Sequence, residues 1–275
     1  IYSFVDNLTM SFGKHNFLLG VQADFTKTIN GFQPLGASYY RYNSWSDFVN
    51  NVKPNDFAYT YSLKKDYSQA FPGFKFAQYS AFIQDEFTIN KRFKLTMGLR
   101  ADQQTYPGVE EVKENPLVSA LAFSKGIKVN TGKLPNQKIL FSPRVGFNWD
   151  VTGDKKTQIR GGSGIFVSRI PEVLVSNQLG NNGINTAVIS ATNTTAYPFR
   201  IDPTTLPNGL GSPASPDITK LAPYAVNATD NNLKNPMVWK SNLAVDQKLP
   251  WFGLVATLEG IYNQNIQALR YIDAN

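Results

Sequence analysis

The sequence predicts an all-β protein: an antiparallel transmembrane β-barrel, of which about eight strands are visible, with short turns at one end and long loops at the other. Three observations carry this. Stretches of about 10–13 residues alternate apolar and polar side chains, well beyond the about 5–6 residues of an ordinary globular strand and enough for the about 9–11 that a tilted membrane strand needs. Large rings collect beside the short turns rather than at mid-strand. The connections at the other end are longer than a compact soluble domain usually carries.

Four hairpins are read in order. The first joins 2–12 to 16–29 through Gly13-Lys14-His15. In 17–26, Phe17, Leu19, Val21, Ala23 and Phe25 oppose Leu18, Gly20, Gln22, Asp24 and Thr26. The second hairpin joins 77–89 to 93–102 through Asn90-Lys91-Arg92. Its return strand alternates best, with Phe93, Leu95, Met97, Leu99 and Ala101 against Lys94, Thr96, Gly98, Arg100 and Asp102. The third, within 139–167, turns at Thr152-Gly153-Asp154-Lys155. Phe141, Pro143, Val145, Phe147 and Trp149 share one face of its first strand; its second is weaker, because Gly161 and Ser163 fall outward and Phe166 inward. The fourth joins 237–249 to 253–266 through Pro250-Trp251-Phe252, with Leu254, Ala256, Leu258, Gly260 and Tyr262 on one face.

Rings flank every turn: Phe12 and Phe17, Phe87 and Phe93, Phe147 and Trp149, Trp251 and Phe252. Gathered at one level they form the girdle expected at a membrane interface. The opposite face carries Arg100, Asp102, Arg144, Asp150, Arg160, Asp246 and Glu259, mixed in sign as suits a wet lumen. Asp6 and Asp85 fall on the apolar face instead. Asp85 is near its turn, where the cost is small; Asp6 is deeper and requires either a bulge or a different register. The connections, about 30–76, 103–137 and 168–236, hold most of the Pro and much of the Asn and are read as loops.

Composition narrows the function. The 275 residues include no Cys and one His, which excludes disulfides, thiol catalysis and a His/Cys zinc site. The net charge is +7, but the basic residues are scattered; Lys64-Lys65, Lys91-Arg92 and Lys155-Lys156 read as solvated turns, and no nucleic-acid partner is expected. No run of about 18 apolar residues could form a spanning helix. The sequence opens inside a strand pattern and ends without an evident stop, and is read as a piece of a longer protein, residues 1–275 forming a partial barrel domain.

Two hairpins carry a family resemblance. "YSAFIQDEFTINKRFKLTMGLRAD" (79–102) resembles a hairpin of the TonB-dependent outer-membrane receptors, with a Tyr…Gln-Asp-Glu strand and a Leu-Thr-x-Gly-Leu-Arg-x-Asp return. "FSPRVGFNWDVTGDKKTQIRGGSGIF" (141–166) resembles their next hairpin. "YSFVDNLTMSFGKHNFLLGVQADF" (2–25) and "SRIPEVLVSNQLGNNG" (168–183) are similar to the Oar-like branch of Bacteroidota. The resemblance implies a barrel of the 22-stranded type in the cell outer membrane, with periplasmic turns, extracellular loops, an N-terminal plug and contact with TonB through that plug; the plug is absent from these residues. It implies import of a nutrient bound at the cell surface, with no covalent chemistry. The alternative is an outer-membrane structural or interaction protein without transport, docking a surface lipoprotein or other partner. A complete eight-stranded barrel is a third reading.

Candidate sites are few. The loop "ASYYRYNSWSDFVNN" (37–51) concentrates Tyr39, Tyr40, Tyr42 and Trp45, whose rings suit either ligand or partner contact, or packing of the loop itself. "RGGSGIF" (160–166) has the glycines of a phosphate loop but not its Lys-Ser/Thr, and reads as a strand closely approached by other backbone. His15 is expected as an exposed turn residue. Asp85 and Glu86 point to opposite faces, and Glu110-Glu111 reads as solvated charge. "NATDNN" (227–232) offers oxygens to a loop cation without matching a strict motif, so no metal or cofactor is expected.

Overall fold

The computed structural model describes residues 1–275 except 65, 67, 109–111, 136–137, 194–196, 206–224 and 275. Eleven strands are present among the described residues. Eight form one antiparallel sheet: β1 (Tyr2–Phe12), β2 (His15–Ile29), β5 (Gly73–Asn90), β6 (Phe93–Thr105), β7 (Ile139–Asp150), β8 (Thr157–Val167), β10 (Met237–Lys248) and β11 (Val255–Gln267). They lie side by side in chain order, a meander in which β1 and β11 are the edges. Strands β5 and β6 extend past the expected bounds at the loop end, starting at Gly73 and finishing at Thr105.

The registers align whole faces. On the apolar face one row runs Leu8, Leu19, Ile83, Leu99 and Pro143 across five strands. A row near the turns runs Phe12, His15, Phe87, Leu95 and Phe147, so three of the expected girdle rings share a level, while Phe17 lies one step further in and Phe93 opposite Trp149 one step nearer the turn. Phe93 and Phe147 stack there with centroids 5.9 Å apart. Towards the loop end this face carries Lys27 opposite Lys75 and then Ile29 opposite Gly73. The polar face runs Gln22, Ser80 and Asp102 in one row and Asp24, Gln78 and Gln104 in the next.

Both carboxylates on the apolar face are where the alternation puts them. The β1–β2 register is continuous from Tyr2 to Phe12, so no bulge turns Asp6 away; it sits opposite Val21 on the edge strand. Asp85 is not merely close to a turn. His15 Nδ1 lies 2.7 Å from its Oδ2. The imidazole is stacked between Phe87 at 4.3 Å and Phe17 at 5.5 Å, both nearly parallel to it. His15 is therefore the first residue of β2 and a partner for an otherwise isolated carboxylate, rather than a free turn residue.

The connections expected as loops carry their own fold. β3 (Tyr39–Arg41), β4 (Asp56–Ser62) and β9 (Thr186–Thr192) form a second sheet, with β4 in the middle. It joins the connection after β2 to the one after β8. Among the described residues the connections also form three α-helices: α1 (Trp45–Val49), α2 (Pro116–Ala120) and α3 (Glu172–Gly180). Ser44 caps α1 by accepting from Asp47 N, and Asn115 caps α2 through Leu117 N. Phe57, Tyr59, Tyr61 and Ala187 form one buried cluster, joined by Tyr40, Ile189 and Tyr197. A second cluster sets Val175 and Leu179 of α3 on Phe74 and Phe76 of β5. Phe76 is opposite Thr26, which puts both rings on the polar face. Helix α3 thus lies over that face at the loop end, where Thr28 donates to Glu172 at 2.5 Å and Asn30 to Ser176 at 2.8 Å.

Candidate functional site

The polar face at the loop end gathers polar and charged side chains from β2, β5, β6, β7 and β10 and from the segment after β8. Alternation on β5 and β6 aims Gln78, Ser80, Arg100, Asp102 and Gln104 to one side. Asp102 accepts from Arg100 Nε at 3.0 Å, Ser80 Oγ at 2.6 Å and Gln78 Nε2 at 3.0 Å, which satisfies a buried carboxylate several times over. Arg100 Nη2 also donates to Gln22 at 3.1 Å. Asp24 accepts from Arg169 at 2.6 Å, from Gln22 at 2.9 Å and from Ser3. Arg169 follows β8, so this pair ties the segment leading into α3 to the wall.

Between these pairs is a cleft of about 160 Å³, bordered by Gln78, Asp102, Ser142, Arg144, Phe166 and Arg169 among others. Phe166 does point to the polar face: the Arg144 guanidinium lies over its ring at 4.8 Å and Lys240 Nζ at 5.7 Å. Gln78 Oε1 is buried there without a partner among the described residues. Nearer the turns, Arg160 pairs with Asp246 at 2.9 Å and approaches Glu259 at 3.8 Å, and Lys94 pairs with Glu86 at 2.7 Å. The arrangement can hold water and polar solutes against a wall of alternating charge. Among the described residues no three His, Asp or Glu side chains gather as a metal site.

The glycines of "RGGSGIF" serve packing. A Cβ on Gly161 would meet the Phe147 ring at 2.9 Å and Asn242 O at 3.0 Å. The stretch "NATDNN" is stitched to α3 and to itself: Thr229 N and Oγ1 both donate to Gln178 Oε1, and Asp230 accepts from Asn232 N at 2.7 Å. Glu110-Glu111 lies outside the described residues.

The four rings singled out in the loop divide. Tyr40 packs on Phe57 at 4.8 Å and Phe199 at 5.3 Å, and its hydroxyl donates to Pro198 O at 3.3 Å. Tyr42 packs on Phe48 at 5.5 Å, and its hydroxyl is buried. Burial raises both phenol pKa values above the ordinary range. Tyr39 and Trp45, by contrast, are 44% and 76% exposed at the surface of the cap. The His15–Asp85 pair and the cleft beside Phe166 were not foreseen: each needs residues from distant strands, and only a ladder register brings them together.

No curated protein matches the chain. A family model does, over residues 1–275, and its description is an outer membrane beta barrel domain. The long antiparallel meander, with one apolar face, one charged face and a ring of aromatics at the turns, has the build that description requires. The chain belongs to the outer membrane beta barrel domain family, and its place is the cell outer membrane.

Proposed function

We propose that this chain is part of the barrel of a TonB-dependent transporter that binds a nutrient at the cell surface and admits it to the periplasm. The carrying observation is the folded cap: the long connections interlock and set α3 on Phe74 and Phe76 of the polar face, and Arg169, just before α3, borders the arginine-lined cleft. A lumen guarded by a structured mouth suits selective uptake better than free diffusion. The hairpins at 79–102 and 141–166 add the resemblance to that family. An arc with open edges at β1 and β11 is not tolerated in lipid, so in this reading further strands close it into a larger barrel, with the apolar face against lipid. The barrel performs no covalent chemistry; TonB acts through a plug.

The test compares cells with and without the gene, and cells lacking TonB, for accumulation of a panel of labelled solutes. Loss of the same solute in both deletions supports import. Unchanged uptake with stoichiometric copurification of a surface partner replaces it with the docking reading, which the exposed rings of Tyr39 and Trp45 favour. Replacing those two by Ala should weaken capture of ligand or partner while leaving the heat-modifiable barrel band on gels unchanged. Undiminished capture would remove them from the contact surface.

A further inference from the structure

We infer that the cleft on the polar face is a binding site for a hydroxycarboxylate, an anion with hydroxyl groups on the carbons next to its carboxylate. Its described lining holds three arginines and one carboxylate: Arg100, Arg144, Arg169 and Asp102. Arg100 pairs with Asp102, and Arg169 with Asp24. Arg144 makes no ion pair among the described residues, and neither does Lys240. The register shows why. Gly98 and Gly164 flank Arg144 in the ladder, and Lys240 lies beyond Gly164, so no side chain in that row stands between the two cations. Both lie over the one ring of Phe166. Two like charges share a neutral ring, and a carboxylate beside them would meet an arginine free to donate.

The neutral groups around Arg144 are unused as well. Gln78 is 7% exposed, and its Oε1 has no partner among the described residues. Its Nε2 donates to Asp102, which fixes the oxygen as an acceptor without a donor. The buried Ser142 hydroxyl makes no hydrogen bond among the described residues. Gln104 accepts from Asn235, while its own amide N–H groups donate to no described residue. The cleft therefore offers a cation and neutral donors to a carboxylate, and one acceptor that a carboxylate leaves unsatisfied. A hydroxyl satisfies it. An ammonium would too, but it would add charge to a lining already net positive. The volume of about 160 Å³ is that of about five waters, room for the carboxylate and the first hydroxylated carbons. The inference rests on the reading of this face as a transport lumen, but binding is measured without TonB, so the two can fail separately.

The experiment is isothermal titration calorimetry of the full detergent-purified protein with D-gluconate. Sorbitol keeps the hydroxyls without the carboxylate, and butanoate keeps the carboxylate without hydroxyls. Gluconate should bind more tightly than either. Arg144→Gln should lose about tenfold or more in gluconate affinity, as for a charge-assisted hydrogen bond. Gln78→Met should lose about fivefold, as for a neutral one, and should bind butanoate as the wild type does. Arg160→Gln, nearer the turns, should leave gluconate binding unchanged, which separates the site from the general charge of the wall. Arg144 is exposed, so its variant tests the site even where Gln78→Met fails to fold. Absence of gluconate binding, equal affinity for gluconate and either comparison, or full affinity in Arg144→Gln overturns the site. Gluconate binding without TonB-dependent uptake upholds the site and overturns transport; TonB-dependent uptake of another solute without gluconate binding does the reverse.

Discussion

The eight-stranded sheet and the cap above it use the same residue types in opposite ways. In the sheet, large apolar side chains remain exposed on the protein itself: Phe12 is 80% and Leu258 79% accessible. In the cap, Phe57 is 1% and Tyr61 3% accessible. The cap supplies its own core, whereas the sheet, on the reading proposed above, takes the apolar half of its environment from lipid. The difference teaches that one chain can hold two regions with different solvents, and that each should fail under a different insult.

The largest expected effect tests whether the cap is a separate unit. Phe57→Ala removes a fully buried ring from the second sheet and should cost the cap about 3–5 kcal/mol. Limited proteolysis should then cut within 30–72 and 181–205, while the barrel band stays heat-modifiable on gels. If the barrel unfolds with the cap, the two regions are one cooperative body and the comparison fails.

The next effect sharpens the other half. Leu99, midway along the apolar face, is opposite Ile83 and Pro143. Leu99→Arg should cost about 2–4 kcal/mol in folding into bilayers. Gln84→Arg, on the polar face opposite Gly98, should cost little by the same titration in urea. Equal penalties would mean that the two faces see the same medium.

The sheet was legible in the sequence because both its environments act on every strand, so apolar and polar residues alternate without interruption from Phe93 to Asp102. The cap was not, although β4 carries the same signal: Phe57, Tyr59 and Tyr61 alternate with Ala58 and Thr60. That strand is seven residues long among many Asn and Pro, and its partners are 15 residues upstream for Asp56 with Arg41 and far downstream in β9. Helix α3 shows little amphipathic bias, since its buried residues include Ser176 and Gln178 beside Val175 and Leu179. Of the site, the charged face could be read from alternation, but which arginine meets which carboxylate could not. Arg169 and Asp24 are 145 positions apart and meet only once β8 has returned to the loop end.

The His15–Asp85 pair is a smaller test of how the apolar face accommodates polarity. His15→Ala leaves a carboxylate, 13% exposed, among Phe17, Phe87 and Met97. The cost should be about 1–3 kcal/mol, the penalty for a buried polar group without its partner. Asp85→Ala combined with His15→Ala should recover part of it, and a double-mutant cycle would read the coupling. Additive losses would show that the stacking of the imidazole, and not the hydrogen bond, is what the pair contributes.

The smallest effect is confined to alkaline pH and to the seam between the two regions. Tyr106 follows β6 and packs edge-on against Phe76 at 5.7 Å, beneath α3. Burial, with Glu172 adding to it, pushes its phenol up to about 12. A folded-state pKa above the unfolded value means that the folded protein holds the proton more tightly. Its contribution is complete below pH 10.0, where the phenol is neutral in both states, and is lost as pH rises from there through about 12. Absorbance at 295 nm should therefore show one tyrosine titrating late, and Tyr106→Phe should remove it. The same variant should leave cap stability at neutral pH nearly unchanged and flatten its alkaline decline. A decline of equal steepness in the variant would place the sensitive group elsewhere, with Tyr59 the next to examine, since burial raises its pKa as well.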